Sequence, residues 1–531
     1  MAQIVNAQAI AQAASVRRSP QEMDAELNRL WSSARAPVQR SVAMRSMCNL
    51  SQSQTLSILR YLELPLLKDE HCRLRSQMAT IFGVREEVSG DAMLVAPNDL
   101  ASVAMFMAFH LPFPPPVNNP SPTGSDGFAQ LFIDAARIRG GPVTALPARI
   151  SQAHLAHHQQ RPRLQSLLIA LILGEEPTVG TEVIPLIEGI LGDHFADLAR
   201  IWLRYGPRIM ELVYRLREER RHVLCVIDGS TYSSFTQSYT GRCPCCGLTP
   251  SQYASVRHVQ YPVGYPVNWV DGVPFVDVFQ MSRSVWRGFP MAPTDVVWGP
   301  GHLLAHALTN YLEVAHEALL GTAHYTSYLA AMHAVVRSID SYHCNFSWAE
   351  TKRIFDHPTF PLPPLPLLVE YWNALKEVHS SWRRPQACPP APRPPAERFA
   401  AACRAAHLIH LRLSPDPETL PPAVHYLFVH LPVVWRQHGG CVGFPRACSD
   451  EPGEKSHYTR GQHWAHRSTM SVQNPSTHKS GLCEVVEAAY LNRWIRHWRN
   501  VQRQQAPQHG GAAESEDEAP DDPSLDLRPR M

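Results

Sequence analysis

Apolar residues recur at helical spacing along most of the chain, and the pattern changes in one internal stretch. Residues 1–35 open on an Ala/Gln-rich helical pattern. A second helical stretch covers 50–82, with breaks at Pro65 and around His71-Cys72. Residues 100–111 read as an apolar helix or a buried strand. Pro112 to Gly127 is too rich in Pro, Asn, Ser and Gly for regular structure and reads as an exposed loop. Over 128–139 the residues Phe128, Leu131, Phe132, Ala135 and Ile138 share one helical face. The block 164–221 reads as three helices, broken at Pro177 to Gly180 and at Gly206-Pro207. Its aliphatic run, Leu167 to Leu173, reads as the core of a buried helix. Seven residues are far short of the roughly 20 that span a bilayer.

Residues 223–299 are rich in Tyr, Val, Thr, Pro and Gly, with period-two stretches such as Tyr261 to Trp269, and predict strands. Helix returns at 302–340, interrupted near Gly321. Further helices are predicted at 367–380, 396–412, 423–436 and 484–499, with Pro-rich connections at Pro358 to Pro366 and Pro385 to Pro395. The expected fold is α+β, predominantly α-helical, with a small β-rich, Cys-containing region in the middle. The same pattern divides the chain into a helical region 1–111, a helical domain 128–222 and the β-rich region 223–299. A helical domain 300–436, a His-rich loop and helix 437–500 and an acidic tail 501–531 follow.

Composition narrows the function classes. Charged residues are 18% of the chain, below the roughly 25% of an average globular protein. With 49 basic and 47 acidic residues the formal charge is +2, unlike the strongly basic domains that bind polyanions. The amino terminus lacks the apolar core of a signal peptide, so a soluble, cytoplasmic protein is expected. Residues 512–531 hold seven carboxylates and two Arg and read as a disordered tail. The sequence contains no P-loop, no dinucleotide fingerprint, no nucleophile elbow, no zincin motif and no kinase set. A non-enzyme is expected.

The chain has 12 Cys, read as reduced thiols. Cys243-Pro244-Cys245-Cys246-Gly247 stands apart. Cys243 and Cys246 form a C-x2-C pair that can place two thiolates on one structural zinc, with Cys245 either the true second ligand or a bystander. Zinc wants four ligands, and the others must come from elsewhere. His258 lies twelve residues after Cys246. Further candidates are His343, Cys344, Cys441, Cys448, His457, His463, His466 and Cys483. Of the 27 His, the pairs His302/His306 and His407/His410 stand at helical spacing and read as packing or surface residues. In the last helix Trp494 and Trp498 are interleaved with Arg493, Arg496 and Arg499. That face reads as a core or subunit contact, with RNA binding as the alternative.

Three stretches resemble the non-structural tubule-forming protein of orbiviruses. They are Leu186 to Ala196 with Arg200; Phe279-Gln280-Met281 to Pro290, leading through Glu317 to His324 and on to His343-Cys344; and Cys483 to Arg499, above all Asn492-Arg493-Trp494-Ile495-Arg496. The chain departs from that family in having only Cys344 where a C-x2-C pair would stand. The resemblance implies a non-structural viral protein that self-assembles into tubules in the host cytoplasm. It also implies bound structural zinc and a role favouring translation of viral mRNA, with no membrane partner. Two other classes fit the same features: a viral outer-capsid or attachment protein, and a zinc-dependent nucleic-acid packaging factor such as the herpesvirus assembly proteins with scattered Cys/His sites.

Overall fold

The structure is a computed structural model that describes residues 19–47, 52–62, 67–89, 92–107, 128–133, 136–137, 143–152, 167–175, 211–218, 222–227, 243, 245, 295–335, 346–383, 395–414, 420–438, 440, 444–450 and 475–505. It is a predominantly α-helical α+β fold. Its strands form one mixed sheet: β1 (Val84–Ser89), β2 (Ala92–Pro97), β3 (Phe128–Ile133), β4 (Ala136–Arg137), β5 (Val143–Gln152), β6 (Leu167–Glu175), β7 (His222–Ile227) and β8 (Val296–Trp298). The order is β1-β2-β6-β5-β3-β7-β8, with β4 on β5. Pairing is antiparallel from β1 to β3 and parallel from β3 through β7 to β8, with Leu131 opposite Cys225 and Cys225 opposite Val296.

Two helical expectations become strands here. Residues 128–133 form β3, and the run from Leu167 forms β6. The reason is burial on both faces: Ala129, Gln130, Leu131 and Phe132 are all buried, as are Leu167 to Leu171. A segment covered on both sides carries no period by which strand and helix can be told apart. The expected break at His71-Cys72 is also absent, because the helix Leu67–Phe82 runs through it. Buried His71 is held there by Ser41 Oγ, 2.9 Å from its Nδ1. The strands β7 and β8 bracket the Cys-containing region and belong to the same sheet as β1 to β6.

Four helices open the described chain: α1 (Pro20–Ser33), α2 (Ala36–Met47), α3 (Gln52–Tyr61) and α4 (Leu67–Phe82). Ser19 starts α1 with a capping box, accepting from the Glu22 N–H while the Glu22 carboxylate accepts from its own N–H. After β2 comes α5 (Leu100–Met105), the helical alternative for 100–111, and residues 211–218 form α6. The second helical group follows β8: α7 (Pro300–Leu319), α8 (Tyr325–Val335), α9 (Trp348–Phe355), α10 (Pro366–Arg383) and α11 (Pro395–Leu413). Next is a continuous rod, α12, made of Pro422–His425, a π turn Tyr426–His430, and Leu431–Gln437. The short α13 (Phe444–Ala447) and the long α14 (Pro475–Gln505) complete it. The expected interruption near Gly321 is present, between α7 and α8, and Gly321 has φ +78°, which a side chain would strain. Among the described residues no helix is long and apolar enough to cross a membrane.

The helix α14 joins chain ends that are remote in sequence. It packs on β6, β1 and β2 and on α2 and α4. Trp494 is fully buried, lies edge-on to Trp31 at 5.7 Å, and donates its indole N–H to Asp24. Trp498 meets Trp31 at 5.3 Å. Tyr490 donates to the Ile169 carbonyl on β6, and Arg493 donates to the Met107 carbonyl. Burial, with Arg496 beside it, pulls the Arg493 guanidinium down to about 9. Trp494 therefore makes a core contact within the chain, while Arg493 is half-buried against the Met107 carbonyl.

The second group docks on the far edge of the sheet through the start of α7. Asp450 reaches across to cap it. Its carboxylate accepts from the His302 N–H at 3.2 Å, and His302 Nδ1 lies 2.9 Å from the same oxygen. A Cβ on Gly299 or Gly301 would stand 2.5 or 2.6 Å from the Asp450 carboxylate, so both glycines are needed for this close approach. Ser449 is pinned by Gln130 of β3, whose amide donates to its carbonyl at 2.6 Å. His306, expected as a packing or surface residue, lies against Trp298.

In urea titrations Gly301→Ala should lower the unfolding free energy by roughly 1–3 kcal/mol. Removing the cap with Asp450→Ala should cost about 1 kcal/mol. The double variant should lose less than the sum, because the new methyl then has room. Strict additivity would show that the carboxylate is not what the methyl meets.

His410 provides a pH test. It is 1% exposed, neither ring nitrogen has a hydrogen-bond partner among the described residues, and burial pushes it down to about 4. Its folded value lies below the unfolded 6.5, so the folded chain binds fewer protons there. Stability is therefore full above about pH 6.5 and falls as pH drops toward 4, by up to about 3 kcal/mol for this group. His410→Leu should keep or raise stability at pH 7 and flatten that acid limb. An unchanged acid limb would refute it.

Candidate metal centre

The rod α12 is an unbroken helix apart from one widened turn, and the local sequence explains it. Pro432 has no N–H, and its ring crowds the carbonyl four residues back. The backbone answers with π geometry, in which the Leu431 N–H reaches the Tyr426 carbonyl. Five residues are about 140° apart around an α-helix, which separates side chains at i and i+5. The wider π turn brings them to one side. His425 and His430 consequently face each other, with their Nε2 atoms 3.2 Å apart and their rings at 76°. Such single-turn π bulges concentrate at functional sites.

Cys243 completes a group. Its sulfur and the ligand nitrogens of His425 and His430 all lie within 4.8 Å of one another, and all three residues are buried. Two imidazole nitrogens held 2.0–2.1 Å from a tetrahedral zinc would be ~3.3 Å apart. The observed 3.2 Å matches that edge. Burial, with His430 and then His407 beside it, holds His425 well below the ordinary imidazole range. It is therefore neutral, the form that ligates a metal. Cys243 is 0% exposed and each imidazole 1%, so the donor set is closed to solvent. Closed sites are structural, whereas catalytic zinc keeps an open position.

The surroundings tie this centre to the rest of the fold. Tyr426, next to His425, lies against Trp298 of β8 at 5.9 Å and against His430 at 5.6 Å. On the α11 side buried His407 contacts Phe428 of the π turn. The cysteine segment, the edge strand and the helical rod thus meet at one point.

Of the expected ligands, Cys243 is in the group. Cys245 is buried but not a member of it, while Cys246 and His258 lie outside the described residues. So do His343, Cys344, Cys441, His457, His463 and His466. Cys483 is elsewhere, donating to Glu86 on β1, and burial together with that carboxylate pushes its thiol up to about 12. The two histidines were not among the candidates. An i, i+5 pair has no meaning in a regular helix, and the only signal was a proline placed two residues after the second histidine. No protein-family model matches the chain, and no curated protein matches it.

Cys243→Ser and His430→Ala should each release the bound metal and lower the thermal midpoint of the metal-loaded protein, because binding free energy is folding free energy at such a site. The control Cys483→Ser should leave metal content unchanged. Inductively coupled plasma analysis of the purified variants checks this, and full metal retention in both ligand variants would refute the assignment.

Proposed function

We propose that the chain is a zinc-stapled assembly protein, working through contacts with other macromolecules or with copies of itself rather than through catalysis. The observation that carries this reading is the convergence of Cys243, His425 and His430 in a solvent-closed group. A zinc ion there would clamp the cysteine segment that follows β7 to the helical rod α12 and act as a folding element. The more specific form is that of the resemblance: a viral non-structural protein that assembles into tubules in the host cytoplasm and favours translation of viral mRNA. The stretch from Glu317 to His324 covers the end of α7 and the turn to α8, and Cys483 to Arg499 lies in α14.

A second form, a zinc-dependent nucleic-acid packaging factor, is favoured by one feature of the site. Its donors are scattered, with Cys243 far in sequence from the two histidines. The two forms separate in solution. The purified metal-loaded chain should carry about one zinc. Negative-stain microscopy and sedimentation should show tubules under the first form. Discrete particles that bind duplex nucleic acid with a steep salt dependence would support the second. A folded chain without zinc, or a monomer that binds no nucleic acid, would overturn the proposal.

A further inference from the structure

The start of α7 carries a second pair of imidazoles, separate from the buried group. His302 and His306 stand four residues apart in a helix of 20 residues. Side chains at that spacing share one face, with Cβ atoms about 5–6 Å apart. Helical side chains also lean back toward the N-terminus, which lays a ring at i+4 over the turn that holds residue i. His306 follows that direction: its ring lies edge-on, at 6.3 Å, to Trp298, which stands just before the helix begins. His302 is fixed by Asp450. A carboxylate only accepts, so the Nδ1 atom 2.9 Å from Asp450 Oδ2 carries the proton and donates it. Nε2 then keeps the lone pair. Metal-binding histidines are commonly oriented in this way, by a carboxylate on the other ring nitrogen.

We infer that His302 and His306 form a surface site for a divalent transition-metal ion, chelated by both imidazoles, with Asp450 as the carboxylate that orients the first. Neutral imidazole suits zinc, nickel and copper. Both rings are open to solvent, unlike those of His425 and His430: the His302 side chain is 41% exposed, and His306 is exposed. Asp450 does not join the two histidines in a three-donor group, so it positions a ligand rather than serving as one. A cation here meets the positive end of the helix dipole, and the Asp450 carboxylate, 3% exposed, offsets that. Two protein donors leave the remaining coordination positions to water, so the ion exchanges, in contrast to one held in a closed site. The inference does not depend on zinc at Cys243, His425 and His430.

Calorimetric titration of the full-length chain with Ni2+ at neutral pH tests this. The affinity for one ion should fall roughly 100-fold in His302→Ala and likewise in His306→Ala, because losing either imidazole turns a chelate into a single ligand. His324→Ala, which removes an exposed histidine with no second histidine at that spacing, should change nothing. A second measurement needs no variant to fold. In the unaltered protein, carbethoxylation of His302 and His306 by diethyl pyrocarbonate, mapped by mass spectrometry, should be blocked by Ni2+ at both positions together. Unchanged Ni2+ affinity in either histidine variant overturns the inference, as does protection of one histidine alone or of neither. Metal analysis of the same variants keeps this site apart from the buried group, whose metal they should retain. Loss of that metal in step with the Ni2+ effect would place the effect at the buried group and overturn the inference too.

Discussion

Two imidazole nitrogens held 3.2 Å apart in a buried core set the terms for the surrounding structure. Buried polar groups demand partners. At this point the cysteine segment after β7 and the widened turn of α12 bring the polar groups together, and α11 packs against that turn. Each is held in place from elsewhere. The rod is backed by α7 and α11, and Trp298 at the end of β8 packs on Tyr426. The site is therefore as rigid as the junction between the sheet edge and the helical group.

That junction has its own anchor in Asp450. A carboxylate at a helix N-terminus accepts from orphan N–H groups and meets the positive end of the helix dipole. Here it comes from far along the chain, so the cap is also a long-range tie. Gly299 and Gly301 clear the space for it. The same short segment carries Ser449, so the tie to α7 and the tie to β3 come from adjacent residues.

At the opposite end of the sheet, α14 does comparable work with aromatic side chains. Trp31, Trp494 and Trp498 meet edge to face, the arrangement that aromatic quadrupoles favour. Tyr490 and Trp494 bury their rings yet find acceptors for their polar hydrogens at Ile169 and Asp24. Tryptophan and arginine on one helical face suit an interface, and this face is one. Within the chain its tryptophans meet Trp31 of the first described helix, and Arg493 meets the Met107 carbonyl.

Long amphipathic helices were legible in the residues themselves. The elements α7, α10 and α11 fall where the spacing of apolar positions placed them, because each keeps a more exposed face that preserves the 3.6-residue period; α12 also falls where expected, although it is buried from Ala423 to Trp435. Cys243 was legible as a candidate ligand from its Cys-rich context. The strands β3 and β6 were not, because burial on both faces erases the period. The two candidate histidines were not either. His425 and His430 face each other only when the helix widens by one residue over Tyr426–His430, and Cys243 reaches them only after the sheet and the helical group have docked. Local pattern determines which segments are helical, since it acts over neighbouring residues. Which side chains converge is decided by packing between segments far apart in sequence, and no local pattern encodes that.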